Sequence, residues 1–274
     1  MKILVAADME GVTGVVDWDH VTPGHAEYQR FRRLMTQDVN AAIRGAFDAG
    51  AEEAVVTDGH WDDRNLLIEE LDPRARLNSG GPSPLSMVQG VDSGVNAAMF
   101  VGYHARAGTP AAILDHTWSD ARVANLWLNG RVTGEIGLNA AVCGHFDVPV
   151  ILIAGDQTAC AEAVETLGPV EVAVVKYAVG RMAAECLPPA VAHARIQEAA
   201  SRAVNKLRLG RVAPPYRLQS PVRVAIEFVQ SEMADGAVLL PGAQRAEGKR
   251  IEFSADDMPA AYRLFRAAVM LAGA

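Results

Sequence analysis

The stretch Met1-Lys2-Ile3-Leu4-Val5-Ala6-Ala7-Asp8-Met9-Glu10-Gly11 decides how the chain is read. An unbroken apolar run from Ile3 to Ala7 ends abruptly in a carboxylate. A run that short and that uniformly apolar describes a strand covered on both faces, as in a parallel sheet flanked by helices. Working outward, Ala54 to Thr57, Ala97 to Val101 and Val148 to Ala154 repeat the pattern, and Glu171 to Val175 supplies a fifth strand. Between the first two strands, Tyr28, Phe31, Met35, Val39, Ala42, Ala46 and Phe47 recur at helical spacing. Gly50 stands where a C-terminal cap belongs, so the segment predicts one βαβ unit. The fold class is therefore α/β, a mostly parallel sheet with helices on both faces.

The rest of the chain reads differently. Val123 to Val132 carries the turn-forming pair Asn129-Gly130 and predicts a hairpin laid over the main sheet. Helical patterning returns at Gly134 and again over Pro189 to Lys206, and the proline-bearing stretch Arg208 to Pro221 reads as a connector. Val222 to Val229 and Arg250 to Phe253 alternate like antiparallel strands. Met258 to Leu271 closes the chain as a helix, with Ser254 as its N-cap and Asp256 and Asp257 favourable in the first turn. This divides the chain into residues 1–207, a catalytic and metal-binding domain, and residues 208–274, a smaller C-terminal α+β lobe.

Composition narrows the function. The 274 residues are half hydrophobic and carry a net charge of −8, which disfavours nucleic acid and anionic membranes as partners. The first apolar run is far too short for a secretory signal, and no later one approaches the roughly 20 residues of a membrane span. A cytoplasmic protein is expected, with Cys143, Cys160 and Cys186 as reduced core thiols.

Polar residues collect after the early strands: Asp8 and Glu10 after the first, Asp58-Gly59-His60 after the second, and Tyr103-His104-Ala105-Arg106 after the third. Loops at the carboxyl ends of parallel strands converge on one crevice, so these side chains should meet. Carboxylates mixed with imidazoles suit zinc, manganese or cobalt better than magnesium or calcium. For any one residue the ordinary alternatives are a helix cap or a hydrogen-bonded histidine, and only the coincidence favours a metal. A second concentration lies in Asp115-His116-Thr117-Trp118 and in Glu135, which stands at a helix entry. Spacing alone leaves Glu135 open between a ligand and a compensator of the helix dipole.

At these residues the sequence resembles the zinc D-aminopeptidases of the DppA type, a family of dinuclear metallopeptidases. The resemblance is carried by Asp8-Met9-Glu10-Gly11, Asp58-Gly59-His60, Gly102 to Ala105 and Gly134 to Asn139, with Ser86-Met87-Val88, Gly155-Asp156 and Lys176 in similar segments. It covers nearly the whole chain. It implies a Rossmann-like α/β domain with a smaller α+β domain. It also implies two zinc ions held by Asp8, Glu10, His60, His104 and Glu135, with Asp8 bridging and manganese or cobalt as substitutes. His116 matches the catalytic histidine, described in the family as the nucleophile. Asp115, Thr117-Trp118 and the opening Ala6-Ala7-Asp8 depart from the family pattern and bear on substrate preference.

The implied activity is removal of the N-terminal residue from short peptides or amides containing D-amino acids, by a homo-oligomeric ring that could be a decamer. Two metal ions can generate a hydroxide and stabilise the oxyanion, so we assign His116 to proton transfer rather than to direct attack. The rival two-metal chemistry, a phosphoesterase, would need extra cations, for which Arg106 and Lys176 are the candidates. A non-catalytic sheet protein binding a ligand in the same crevice is the remaining alternative.

Overall fold

The computed structural model describes residues 1–273. In chain order its elements are β1 (Lys2–Ala7), α1 (Trp18–Val21), α2 (Tyr28–Asp48), β2 (Glu53–Asp58), β3 (Ala75–Asn78), β4 (Ala97–Val101), β5 (Val123–Leu128), β6 (Arg131–Val132), α3 (Glu135–His145), β7 (Val150–Asp156), α4 (Gln157–Leu167), β8 (Glu171–Gly180), β9 (Ala183–Cys186), α5 (Pro189–Arg208), β10 (Val222–Phe228), α6 (Ser231–Ala237), β11 (Gln244–Glu247), β12 (Arg250–Ala255) and α7 (Met258–Leu271).

Seven strands form one sheet in the order β3-β2-β1-β4-β7-β8-β9. All its pairings are parallel except β8 with β9. The chain runs outward from β1 through β2 to β3, then crosses to the other side at β4. The switch point between β1 and β4 opens a crevice at their carboxyl ends. Alternation along β1 sends Ile3, Val5 and Ala7 toward a core shared with α2 and α5, and Leu4 and Ala6 toward a second core that continues through α3 into the other sheet. That second sheet has five antiparallel-paired strands in the order β11-β12-β10-β5-β6.

The α/β class with an antiparallel lobe is as expected, and several details differ. The Val123–Val132 hairpin pairs with β10 as part of the second sheet, and Val123, Leu126 and Leu128 are buried in the core that the two sheets share. The smaller sheet therefore draws on residues 123–132 as well as on the chain beyond 222. Ser254 lies within β12, and the N-cap of α7 is Asp257, whose Oδ1 accepts the amide of Ala260 at 2.7 Å. β8 runs on to Gly180 and turns back as β9, which leaves Cys186 exposed while Cys143 and Cys160 are buried. Among the described residues no helix is long and apolar enough to cross a membrane.

Two glycines permit approaches that no side chain would. Gly102, just after β4, has φ +77°, and a Cβ there would stand 2.2 Å from the carbonyl oxygen of Asp8. Gly45 lets α2 press against α5, since a Cβ would meet the Gln197 carbonyl oxygen at 2.1 Å. In an open helix Gly→Ala stabilises by about 1 kcal/mol. Here overpacking outweighs propensity, so Gly45→Ala should destabilise by roughly 1–3 kcal/mol, read as a lower urea midpoint. An unchanged or raised midpoint would show that the two helices have slack between them.

Candidate metal centre

The switch-point crevice brings together Asp8, Glu10, His60, His104, His116 and Glu135, and leaves Asp58, Arg106 and Lys176 outside the cluster. Asp8 follows β1 directly, its amide bonded to the carbonyl of Val101 at 2.9 Å, while the amide of Gly11 reaches the carbonyl of Gly102 at 2.7 Å. These bonds knit the Asp8–Gly11 turn to the end of β4. The turn is also tied from behind. Lys176, fully buried on β8, donates to the carbonyl oxygens of Glu10, Val12 and Val15 at 2.6, 2.9 and 2.7 Å. Burial holds its ammonium down, at about 8. Asp38 on α2 accepts the amide and the hydroxyl of Thr13.

His60 arrives from the loop after β2. Asp58 shapes that loop by accepting the amides of Asn65 and Leu66 and the side-chain amide of Asn65, so it serves the loop and stands outside the cluster. His104 and His116 come from the segment after β4. Glu135 opens α3, where its Oε1 accepts the amide of Trp118 at 2.6 Å.

Asp8, Glu10, His60, His104, His116 and Glu135 are all buried. His60 Nδ1 lies 3.3 Å from both Asp8 Oδ1 and Glu10 Oε2. His104 Nε2 lies 3.4 Å from Asp8 Oδ2 and 3.2 Å from Glu135 Oε1. His116 Nε2 stands slightly farther off, 3.9 Å from Glu10 and 3.7 Å from Glu135. Asp8 thus faces both His60 and His104, one oxygen to each.

The other nitrogen of every ring is bonded to a main-chain carbonyl: His60 Nε2 to Val21 at 2.8 Å, His104 Nδ1 to Ala105 at 3.0 Å and His116 Nδ1 to Leu114 at 2.9 Å. A carbonyl oxygen can only accept, so each of those nitrogens carries the proton. In the neutral ring the opposite nitrogen then presents a lone pair to the cluster. Asp8 Oδ2, Glu10 Oε2 and His104 Nε2 are buried with no hydrogen-bond partner. Orphaned acceptors directed into one small space need a cation, and the mixed nitrogen and oxygen donors fit zinc-type ions.

The charges show the same strain. Burial, with Glu10 beside it, pushes Asp8 up to about 7. Burial would raise Glu10 too, but His60 holds it well below the carboxylate range. Burial alone would depress His60 and His104. Glu10 and Asp8 together outweigh it at His60, and Glu135, Asp8 and Glu10 together outweigh it at His104, so both stand well above an ordinary imidazole. His116 goes the other way, lowered by burial and by the His104 ring stacked 4.0 Å from its own.

The cluster forms the floor of a cleft of about 700 Å³, walled by Trp18, Trp61, Asp63, Met87, Trp118 and Arg266 among others. The two cations that a phosphate-binding reading needed are engaged elsewhere: Lys176 as above, and Arg106 alongside Glu162 at 3.7 Å. Sequence reading missed what holds the ligands in place, namely the Trp118 amide and the Asp38–Thr13 clasp, since neither leaves a signal in residue spacing.

A buried cluster of carboxylates and imidazoles at the switch point of a parallel sheet, open to a peptide-sized cleft, is the architecture of a hydrolytic metalloenzyme. Comparison with known proteins sharpens the class. The family model for D-aminopeptidases matches residues 1–267. The D-aminopeptidase of Bacillus subtilis (strain 168) is 40% identical over 265 residues, spanning 96% of this chain and 94% of the relative. The solved structure of the Zn-dependent D-aminopeptidase DppA from Bacillus subtilis, a self-compartmentalizing protease, superposes with a TM-score of 0.95 at 37% identity, covering 100% of this chain and 98% of that one. The chain belongs to the D-aminopeptidase family.

If the orphaned acceptors await a cation, zinc added to metal-free protein should raise the thermal midpoint. Excess ligand at about 100 times Kd stabilises by about 2.7 kcal/mol. Asp8→Ala should abolish the rise, whereas Asp58→Asn should keep it. No rise with the unaltered chain would refute the cation site.

Proposed function

We propose that the chain is a dinuclear zinc aminopeptidase that removes the N-terminal D-residue from short peptides or amides. Asp8, Glu10, His60, His104 and Glu135 are the residues that would hold the ions, with Asp8 directing one oxygen toward His60 and the other toward His104. The observation that carries this reading is the set of three partnerless buried acceptors converging with the carbonyl-tethered imidazoles, in a chain of the D-aminopeptidase family. Zinc enters by likeness to a Zn-dependent relative and by the donor chemistry described above. When bound, two such ions polarise the scissile carbonyl and make water a competent nucleophile near neutral pH.

The chain's own groups supply the rest. His116 keeps its Nδ1 proton on Leu114, so Nε2 is the atom that can take a proton from the attacking water and deliver it to the leaving amine. Burial and the neighbouring His104 lower its pKa from the usual imidazole value, which favours the neutral, proton-accepting ring. Glu10 and Glu135, 3.9 and 3.7 Å from Nε2, stabilise the imidazolium formed in between. Direct attack by His116 would spend the lone pair that this shuttle requires. The cleft of about 700 Å³ fits a short peptide.

The division into residues 1–207 and 208–274 is retained as our reading of the domains, with the hairpin at 123–132 lent by the first to the sheet of the second. A homo-oligomeric ring is the assembly we infer, supported by the self-compartmentalizing relative. A cytoplasmic setting would keep the free thiols reduced.

The zinc-loaded protein should release amine from D-alanyl amides much faster than from the L forms, and a chelator should abolish turnover. Release of phosphate from aryl phosphates alone, or equal rates on D and L forms, would overturn the reading. His116→Ala should keep both metal ions and lose roughly 10²–10⁴-fold in kcat. A trapped acyl-histidine would show that the ring attacks the substrate itself.

A further inference from the structure

We propose that Arg181, at the tip of the β8–β9 hairpin, is a positioning residue for His116. The proposal rests on the proton-transfer role given to His116 above. Its geometry stands independently.

Arg181 grips the segment before His116 in two ways. Its side chain donates through Nε to Asp115 Oδ1 and through Nη2 to the Asp115 carbonyl oxygen, both at 3.0 Å. Its own carbonyl oxygen accepts the amide of Leu114 at 2.9 Å, and the carbonyl of Leu114 accepts Nδ1–H of His116 at 2.9 Å. Leu114, whose carbonyl orients the imidazole, is thus held through its amide from the hairpin, and Asp115, next in the chain, through its carbonyl and carboxylate. A separate contact reaches the ring from the side: the guanidinium lies 5.5 Å from the Trp18 ring centroid, and Trp18 meets His116 at 5.5 Å with the planes at 70°. Only a planar fork can serve a carboxylate, a carbonyl and an aromatic face together, so lysine would be a poor substitute.

The held segment needs restraint. Ala111, Leu114 and Trp118 all have positive φ, at +49°, +49° and +66°, a conformation side chains rarely adopt and one that persists only when the surroundings impose it. Asp115 also accepts the amide of Gly108 at 2.6 Å, so its carboxylate joins the two ends of the loop and the hairpin. This gives a structural use to a residue that departs from the family pattern. The Arg181 side chain is 48% exposed and its partner 11%, so the ion pair adds little to global stability. Its effect should fall on the placement of His116.

The test uses the zinc-loaded full chain. Arg181→Ala should lower kcat on a D-alanyl anilide about tenfold or more, since small misplacement of a reacting group is costly, with KM within about twofold. Arg181→Lys should restore only part. Because Arg181 acts in part through the Asp115 carboxylate, the losses from Arg181→Ala and Asp115→Ala should be less than additive in the double variant. Hydrogen exchange over residues 112–118 should speed up about tenfold in Arg181→Ala, with the thermal midpoint held. Unchanged kcat, unchanged exchange, additive losses, or a joint fall of kcat, substrate affinity and thermal midpoint would each overturn the proposal. If the unaltered protein cleaves no aminoacyl amide, the enzymatic reading fails, and the exchange experiment still decides the tether.

Discussion

Three carboxylates and three imidazoles are packed at one buried point, with oxygens and ring nitrogens 3.2 to 3.9 Å apart. Three carboxylates crowded into one buried cluster cannot all stay ionised without positive charge among them. That electrostatic demand governs the architecture around it. The parallel sheet brings the ends of β1, β2 and β4 to one place, and Gly102 lets the β4 end touch the backbone at Asp8. Lys176 spends all three ammonium protons on the carbonyls of the ligand-bearing turn. A buried ammonium is expensive, and its location under Glu10 indicates that the shape of that turn is what it secures.

The site divides labour between elements of different rigidity. Asp8, Glu10 and Glu135 sit at the ends of regular structure, where strand pairing and the start of α3 limit movement. His116 belongs to a longer loop with strained backbone and depends on neighbours from α1 and from the β8–β9 hairpin. Groups that hold charge are thereby fixed most firmly, while the group suited to moving a proton hangs on a segment adjusted from outside. The second sheet contributes through α7, whose Arg266 and Val269 form part of the cleft wall. The cleft wall therefore draws on both layers of the molecule.

Much of this was legible in the sequence for a physical reason. Strands covered on both faces leave continuous apolar runs, so β1, β2, β4 and β7 are visible to within about two residues. The polar residues ending those runs then had to converge, because parallel strands allow no other arrangement. The helix α2 and its Gly50 terminus showed themselves by period. What stayed hidden was set by partners distant in sequence. The edge strands β3, β9 and β11 are short and carry no buried apolar run, and their pairing depends on a neighbour already being in place. The hairpin at Val123–Val132 could have covered either sheet, since its alternation is the same in both settings. Ser254 and Asp257 are both competent caps, and the end of β12 decided between them. Arg181 gave no signal at all, because its partners lie 66 residues away.

The three imidazoles are steered by the carbonyls of Val21, Ala105 and Leu114, and a carbonyl is common to every amino acid. The identities of those three residues can consequently drift through evolution, limited only by the room around them, while the rings keep their bearing. The backbone at those three positions matters to the site as much as the histidines themselves.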